Sequence, residues 1–183
     1  MCISTMMNGV NSNVHDCEFT NITKGFSWST QYCGSCIFSM SSNINIGVNN
    51  SRFTNIETTN ADGGAIFASS EGTDIMYCTF KNCNARSNDP NNGHGGAVYF
   101  HAEYATREEE IKFCVFEDCF ATNSGGALFA YCHDSEKGSL LANDYGKYAF
   151  RLDQCNFTRC KSTVEGGAIS SGLNVFGIKS GDN

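Results

Sequence analysis

Ile75-Met76-Tyr77-Cys78-Thr79-Phe80-Lys81-Asn82-Cys83, followed after a loop by Gly95-Gly96-Ala97-Val98, is too angular for a flat strand and too regular for a loop. Side chains on a strand alternate faces, so Cys78 and Phe80 share one face. Ile75 lies three residues before the cysteine, and Cys83 three after the phenylalanine. Both have the opposite parity. If all four are buried, the chain bends twice within this stretch. The glycine pair then supplies a third corner, because glycine takes backbone angles that other residues avoid.

The same pattern recurs along the chain. Ile111, Cys114, Phe116 and Cys119 repeat it, as do Leu152, Cys155, Phe157 and Cys160. Looser copies are Val14, Cys17, Phe19, Ile22 and Val48, Ser51, Phe53, Ile56. Gly-Gly-Ala followed by an aliphatic residue occurs at Gly63–Ile66, Gly95–Val98, Gly125–Leu128 and Gly166–Ile169. The two patterns are locked together: Phe53 precedes Gly63 by ten residues, Phe116 precedes Gly125 by nine, and Phe157 precedes Gly166 by nine. From Phe80 to Gly95 the gap is fifteen, and the excess lies in the turn-rich stretch from Ser87 to His94. Constant spacing interrupted by loops of variable length is how a repeat architecture accepts insertions.

The expectation is an all-β chain, a parallel β-helix forming one domain over residues 1–183. Ile66, Val98, Leu128 and Ile169 should stack inside as a ladder with rungs ~4.8 Å apart. Phe67, Tyr99 and Phe129 follow them and should point outward, with Ser170 in that place in the fourth copy. A β-sandwich is the alternative, but its strands need longer uninterrupted alternation.

Composition agrees. Hydrophobic residues are 40% of the 183, enough to fill a core, while Pro90 is the one proline against 19 glycines. Small polar residues and glycine suit short strands and corners, not helices. The net charge of −7, with scattered Lys and Arg, disfavours nucleic acid and anionic membrane surfaces as partners. Met1–Ser12 has no basic segment leading into an apolar run, and no stretch approaches the ~18 apolar residues of a membrane helix, so no direct membrane span is expected. No amphipathic capping helix is visible at either end. The chain therefore reads as a piece of a longer repeat array whose open edges favour end-to-end self-association.

Eleven cysteines invite a chemical reading. Those at 78/83, 114/119 and 155/160 are expected as stacked thiols packed like small hydrophobes. Disulfides between layers and metal ligation are the alternatives. Cys33-Gly34-Ser35-Cys36 is a lone Cys-x-x-Cys, without the second pair of a structural zinc site. Gly93-His94-Gly95 mimics a short motif of pectin-degrading hydrolases, but such enzymes need clustered aspartates, and no Asp-Asp pair exists. His94 reads as part of a corner loop, and His15, His101 and His133 as solvated or core residues. Glu108-Glu109-Glu110 reads as a solvated loop. Sequons at Asn21, Asn49 and Asn156 matter only in a secretory pathway. No catalytic, cofactor-binding or metal-binding residue is assigned, and no cofactor is implied. The candidate binding feature is an exposed aromatic stripe of Phe67, Tyr99 and Phe129. The competing outcome is that the insertions around 101–110 and 132–149 fold over it.

The four Gly-Gly-Ala units, with Phe19-Thr20-Asn21, Phe53-Thr54-Asn55 and Phe80-Lys81-Asn82, resemble the repeats of the polymorphic outer-membrane protein family of chlamydial type. The likeness covers about residues 13 to 171, and the Asn, Ser and Cys content leans towards similar repeats in surface proteins of parasitic protists. It implies a right-handed, pectate-lyase-like β-helix and a non-catalytic role in adhesion or display, at the cell surface or secreted, towards a host or cell-surface protein or glycan. Two departures stand out: no C-terminal β-barrel, and more Cys-x-Phe-x-x-Cys units than packing requires. The alternative functions are a carbohydrate-binding module or a polysaccharide lyase or hydrolase, the latter favoured if Asp74, Lys112 and Arg151 share one groove.

Overall fold

A computed structural model describes residues 3–5, 11–25, 34–101, 109–131, 150–172 and 176–179. Among the described residues the chain is all-β, with every strand pairing parallel, in two sheets.

The first sheet is organised around two long strands, β4 (Ile37–Asn49) and β6 (Ile66–Met76). Strands β1 (Ile3–Thr5) and β2 (Ser12–His15) pair with β4. The first half of β6 pairs with β8 (Val98–His101), which leads on to β12 (Leu128–Tyr131) and β16 (Ile169–Ser171). Its second half pairs with β9 (Glu109–Lys112), which leads on to β13 (Phe150–Asp153) and β17 (Phe176–Lys179). The second sheet repeats this division. Strands β3 (Glu18–Gly25), β5 (Arg52–Thr59) and β7 (Thr79–Arg86) lie side by side. Beyond β7 the sheet splits into β10 (Val115–Glu117) with β14 (Asn156–Thr158), and β11 (Phe120–Ala121) with β15 (Lys161–Ser162).

Pairing joins like to like. Ile37, Ile66, Val98, Leu128 and Ile169 are consecutive partners. So are Val14, Val48, Ile75, Ile111 and Leu152, and Phe19, Phe53, Phe80, Phe116 and Phe157. The phenylalanine rings stack nearly parallel, with centroids 4.9, 4.8, 4.8 and 4.7 Å apart along the series. That interval is the spacing of neighbouring strands. Each buried ring contributes ~1.5–3 kcal/mol from apolar burial, and each stacked pair adds ~0.5–1.5 kcal/mol.

The two bends expected within each repeat lie one residue before the cysteine and two residues after the phenylalanine. Asp16, Asn50, Tyr77, Phe113 and Gln154 hold the first in left-handed backbone, at φ between 45° and 55°. Asn21, Asn55, Asn82, Asp118 and Arg159 hold the second, at φ between 52° and 55°. Three asparagines at this second corner form a ladder: the Asn82 amide donates to Asn55 (2.9 Å), and that of Asn55 to Asn21 (3.0 Å). Asparagine is the non-glycine residue best suited to this conformation.

The Gly-Gly pair serves two different needs. The first glycine, as Gly63 or Gly95, has φ of +68° or +64°. The second sits where backbones nearly touch: a Cβ on Gly96 would lie 2.0 Å from the Gly126 carbonyl oxygen. A fifth copy, hidden in the sequence, is Gly34-Ser35-Cys36-Ile37, whose Ile37 pairs with Ile66. The Cys-x-x-Cys stretch is thus a worn Gly-Gly-Ala corner, with Cys36 buried in the alanine place; Cys33 lies outside the described residues.

Candidate functional site

The aromatic stripe exists, and it is longer than expected. Phe38, Phe67, Tyr99 and Phe129 stack in order, with centroids 5.4, 5.2 and 5.3 Å apart. They alternate with the inward ladder and so point away from the core, as their parity requires. They are not exposed, however. Phe67 is 0% and Tyr99 5% accessible, and Phe129 is half-buried. One cover is the His94 ring, 4.6 Å from Phe129 and 6.3 Å from Tyr99. Beside the stripe, two residues further along the same strands, His101 stacks on Tyr131 at 5.9 Å. The expectation of an open stripe is therefore corrected to a covered one. Most of the insertions around 101–110 and 132–149 lie outside the described residues.

His94 is held firmly. Its backbone N–H donates to Asp62 Oδ1 at 2.9 Å, and its ring Nδ1 lies 2.9 Å from the same oxygen. Asp62 is buried, and burial pushes its carboxyl above the ordinary range against the opposing pull of His94. This pair fastens the Ser87–His94 loop, with its Gly93-His94-Gly95, to the corner of the layer before it. Of the other histidines, His15 is exposed beside Asp16 and His101 is buried against Ser69. His133 lies outside the described residues.

The described cysteines are free thiols, Cys17, Cys36, Cys78, Cys83, Cys114, Cys119, Cys155 and Cys160. Six stand in two ladders. Cys78, Cys114 and Cys155 each lie within hydrogen-bonding distance of a carbonyl on a neighbouring strand, at 3.4, 3.5 and 3.4 Å. Cys83, Cys119 and Cys160 do the same at 3.6, 3.7 and 3.6 Å. The neighbouring thiols and burial hold Cys114 far above the ordinary thiol range. Cys114 is thus a neutral packing group and a poor nucleophile, while its hydrogen bonds draw its ladder neighbours Cys78 and Cys155 below the ordinary thiol range. No group of three or more potential metal ligands converges among the described residues.

The last two residues of the acidic run are not in a loop. Glu109 and Glu110 begin β9, and Glu109 is fully buried at the parity of Ile111. Glu108 lies outside the described residues. Glu110 points outward on the face that also carries Asp74, Lys112 and Arg151, since Asp74 pairs with Glu110 and Glu110 with Arg151. The cations on this face are engaged: Lys112 reaches Glu110 at 2.6 Å, and Arg151 reaches Glu110 at 3.4 Å and Asp153 at 3.3 Å.

Of the sequons, Asn21 and Asn156 are exposed. Asn49 is half-buried, and its Ser51 is buried and donates to the Asn49 carbonyl at 2.8 Å. Among the described residues no helix is long and apolar enough to cross a membrane. No family model, curated protein or solved structure matches the chain.

Proposed function

We propose that the chain is a right-handed parallel β-helix that serves as a non-catalytic scaffold for adhesion or display, at a cell surface or in secreted form. The carrying observation is register held across unequal insertions. Ile66 pairs with Val98, Val98 with Leu128 and Leu128 with Ile169, although these steps differ in length along the chain. Stacked layers joined by loops of any length behave this way, and parallel connections within one sheet are right-handed in nearly all proteins. The repeat signatures that resemble polymorphic outer-membrane proteins support a surface role. The partner is then a host or cell-surface glycan or protein.

A second reading is a polysaccharide lyase or hydrolase, favoured by Asp74, Lys112 and Arg151 on one outer face. Against it, both cations are bound by neighbouring carboxylates, which lowers their value for neutralising a substrate carboxylate.

The test is an array of glycans and extracellular proteins probed with the purified chain, beside a calcium-dependent polysaccharide-cleavage assay on the same sample. Binding without cleavage is expected. Cleavage that disappears in Arg151→Ala would replace the scaffold reading with the enzymatic one, and silence on every array spot would remove the adhesive one.

A further inference from the structure

Tyr77 and Phe113 break two rules at once. Both are large aromatics in left-handed backbone, at φ 55° and 53°. Both are exposed, 59% and 37% accessible, beside Val115 at 40%. Bulky side chains rarely adopt this conformation. The equivalent corner in the other layers carries Asp16, Asn50 and Gln154, polar residues, two of them of the kind that tolerates it well. The rings add nothing to the core, and their one stacked contact, at ~0.5–1.5 kcal/mol, falls short of the ~1–2 kcal/mol that left-handed backbone costs at each of the two residues. Local strain without a folding return marks a functional position.

The geometry identifies what the pair is shaped for. The rings lie 7° from parallel with centroids 4.9 Å apart. Rings touch at ~3.5 Å, so the two are offset like roof tiles, and each keeps part of a face open to solvent. Asn50 lies one layer to one side and Gln154 one layer to the other, both exposed. Lys112, next to Phe113, is neutralised by Glu110. The result is a flat apolar step between uncharged amides.

We propose that Tyr77 and Phe113 form a binding platform for a neutral oligosaccharide lying along the stacking axis. A pyranose ring has an apolar C–H face for each aromatic ring and a rim of hydroxyls for the amides. A net charge of −7 selects against polyanionic glycans. A specific protein interface buries ~800 Å² on each side, far more than three exposed apolar side chains supply. The inference rests on the adhesive reading and names its ligand class.

The decisive experiment titrates the full chain calorimetrically with neutral β-linked hexasaccharides of glucose, xylose, mannose and N-acetylglucosamine, and repeats the titration with the double variant Tyr77→Asn/Phe113→Asn. At least one probe should bind the wild-type chain, and the double variant should bind it at least tenfold more weakly. The variant's melting temperature should hold or rise, because asparagine suits the corner, as Asn50 does. Three results would each overturn the platform: no neutral probe binds, the variant binds as well as the parent, or the variant melts well below it and so shows a structural role. If the wild-type chain still adheres on the wider array and the double variant adheres equally, only the platform falls. If the wild-type chain adheres to nothing, the adhesive reading falls with it.

Discussion

The inner phenylalanine ladder and the outer corner ladder run side by side across the parallel strands and obey opposite constraints. Phe19, Phe53, Phe80, Phe116 and Phe157 are one residue type on five paired strands. Asp16, Asn50, Tyr77, Phe113 and Gln154 share one backbone conformation but four kinds of side-chain chemistry. Inside, each ring must fill the space between the rings above and below, so packing density dictates the side chain. At the corner only the backbone angle is demanded, and the side chain is free to be adapted to something else. Identity and variety along parallel ladders thus separate what holds the molecule together from what it presents.

The sharpest way to break this contrast is Phe80→Ala. Phe80 is fully buried between Phe53 and Phe116, so truncation removes two stacked contacts and leaves a cavity. Chemical unfolding should show a loss of ~3–5 kcal/mol. Phe157→Ala, at a half-buried ring stacked on Phe116, should cost clearly less. Equal losses at the two positions would mean that the ladder does not act layer by layer.

A gentler probe is Cys78→Ser. Ser51 already occupies this ladder one layer earlier and bonds the Asn49 carbonyl as Cys78 bonds that of Met76, at 2.8 and 3.2 Å. The expected cost is about 1 kcal/mol, within the ordinary range for a hydroxyl that keeps its hydrogen bond. A loss of several kcal/mol would show that sulfur packing, not the hydrogen bond, sets the residue here.

Parity and spacing made the inner ladders and both bends legible, because burial forces a period on the sequence. The Gly34-Ser35-Cys36 corner escaped, since serine and cysteine had replaced the diagnostic residues. The following Ile37-Phe38, matching Ile66-Phe67, was the signal that remained. Glu109 shares the parity of Ile111, and this pointed inward despite its charge. The cover over Phe67 and Tyr99 was illegible in principle: alternation says which way a side chain faces, not what lies across from it. Tyr77 and Phe113 carry no signal in the sequence for a related reason, since their meaning depends on a positive φ that the letters do not show.

The smallest effect is expected at the outer edge of the second corner, where Arg159 meets Asp118 and Glu117. Arg159 is the main cause holding both carboxyls below their ordinary values; Lys81 assists at both, through a hydrogen bond at Glu117 and through its charge alone at Asp118. A carboxylate depressed in the folded state stabilises the fold above its unfolded pKa, and that contribution is lost as pH falls through the folded value. Arg159→Ala should therefore leave the melting temperature at neutral pH almost unchanged, because exposed ion pairs contribute little. Carbon-detected NMR titration should show both carboxyls moving up towards the ordinary range, Asp118 more fully than Glu117, which keeps Lys81. Unmoved titrations would mean that the pairing does not persist in solution. A large drop in melting temperature would mean that this corner, unlike the one at Tyr77 and Phe113, depends on its side chains as well as its backbone.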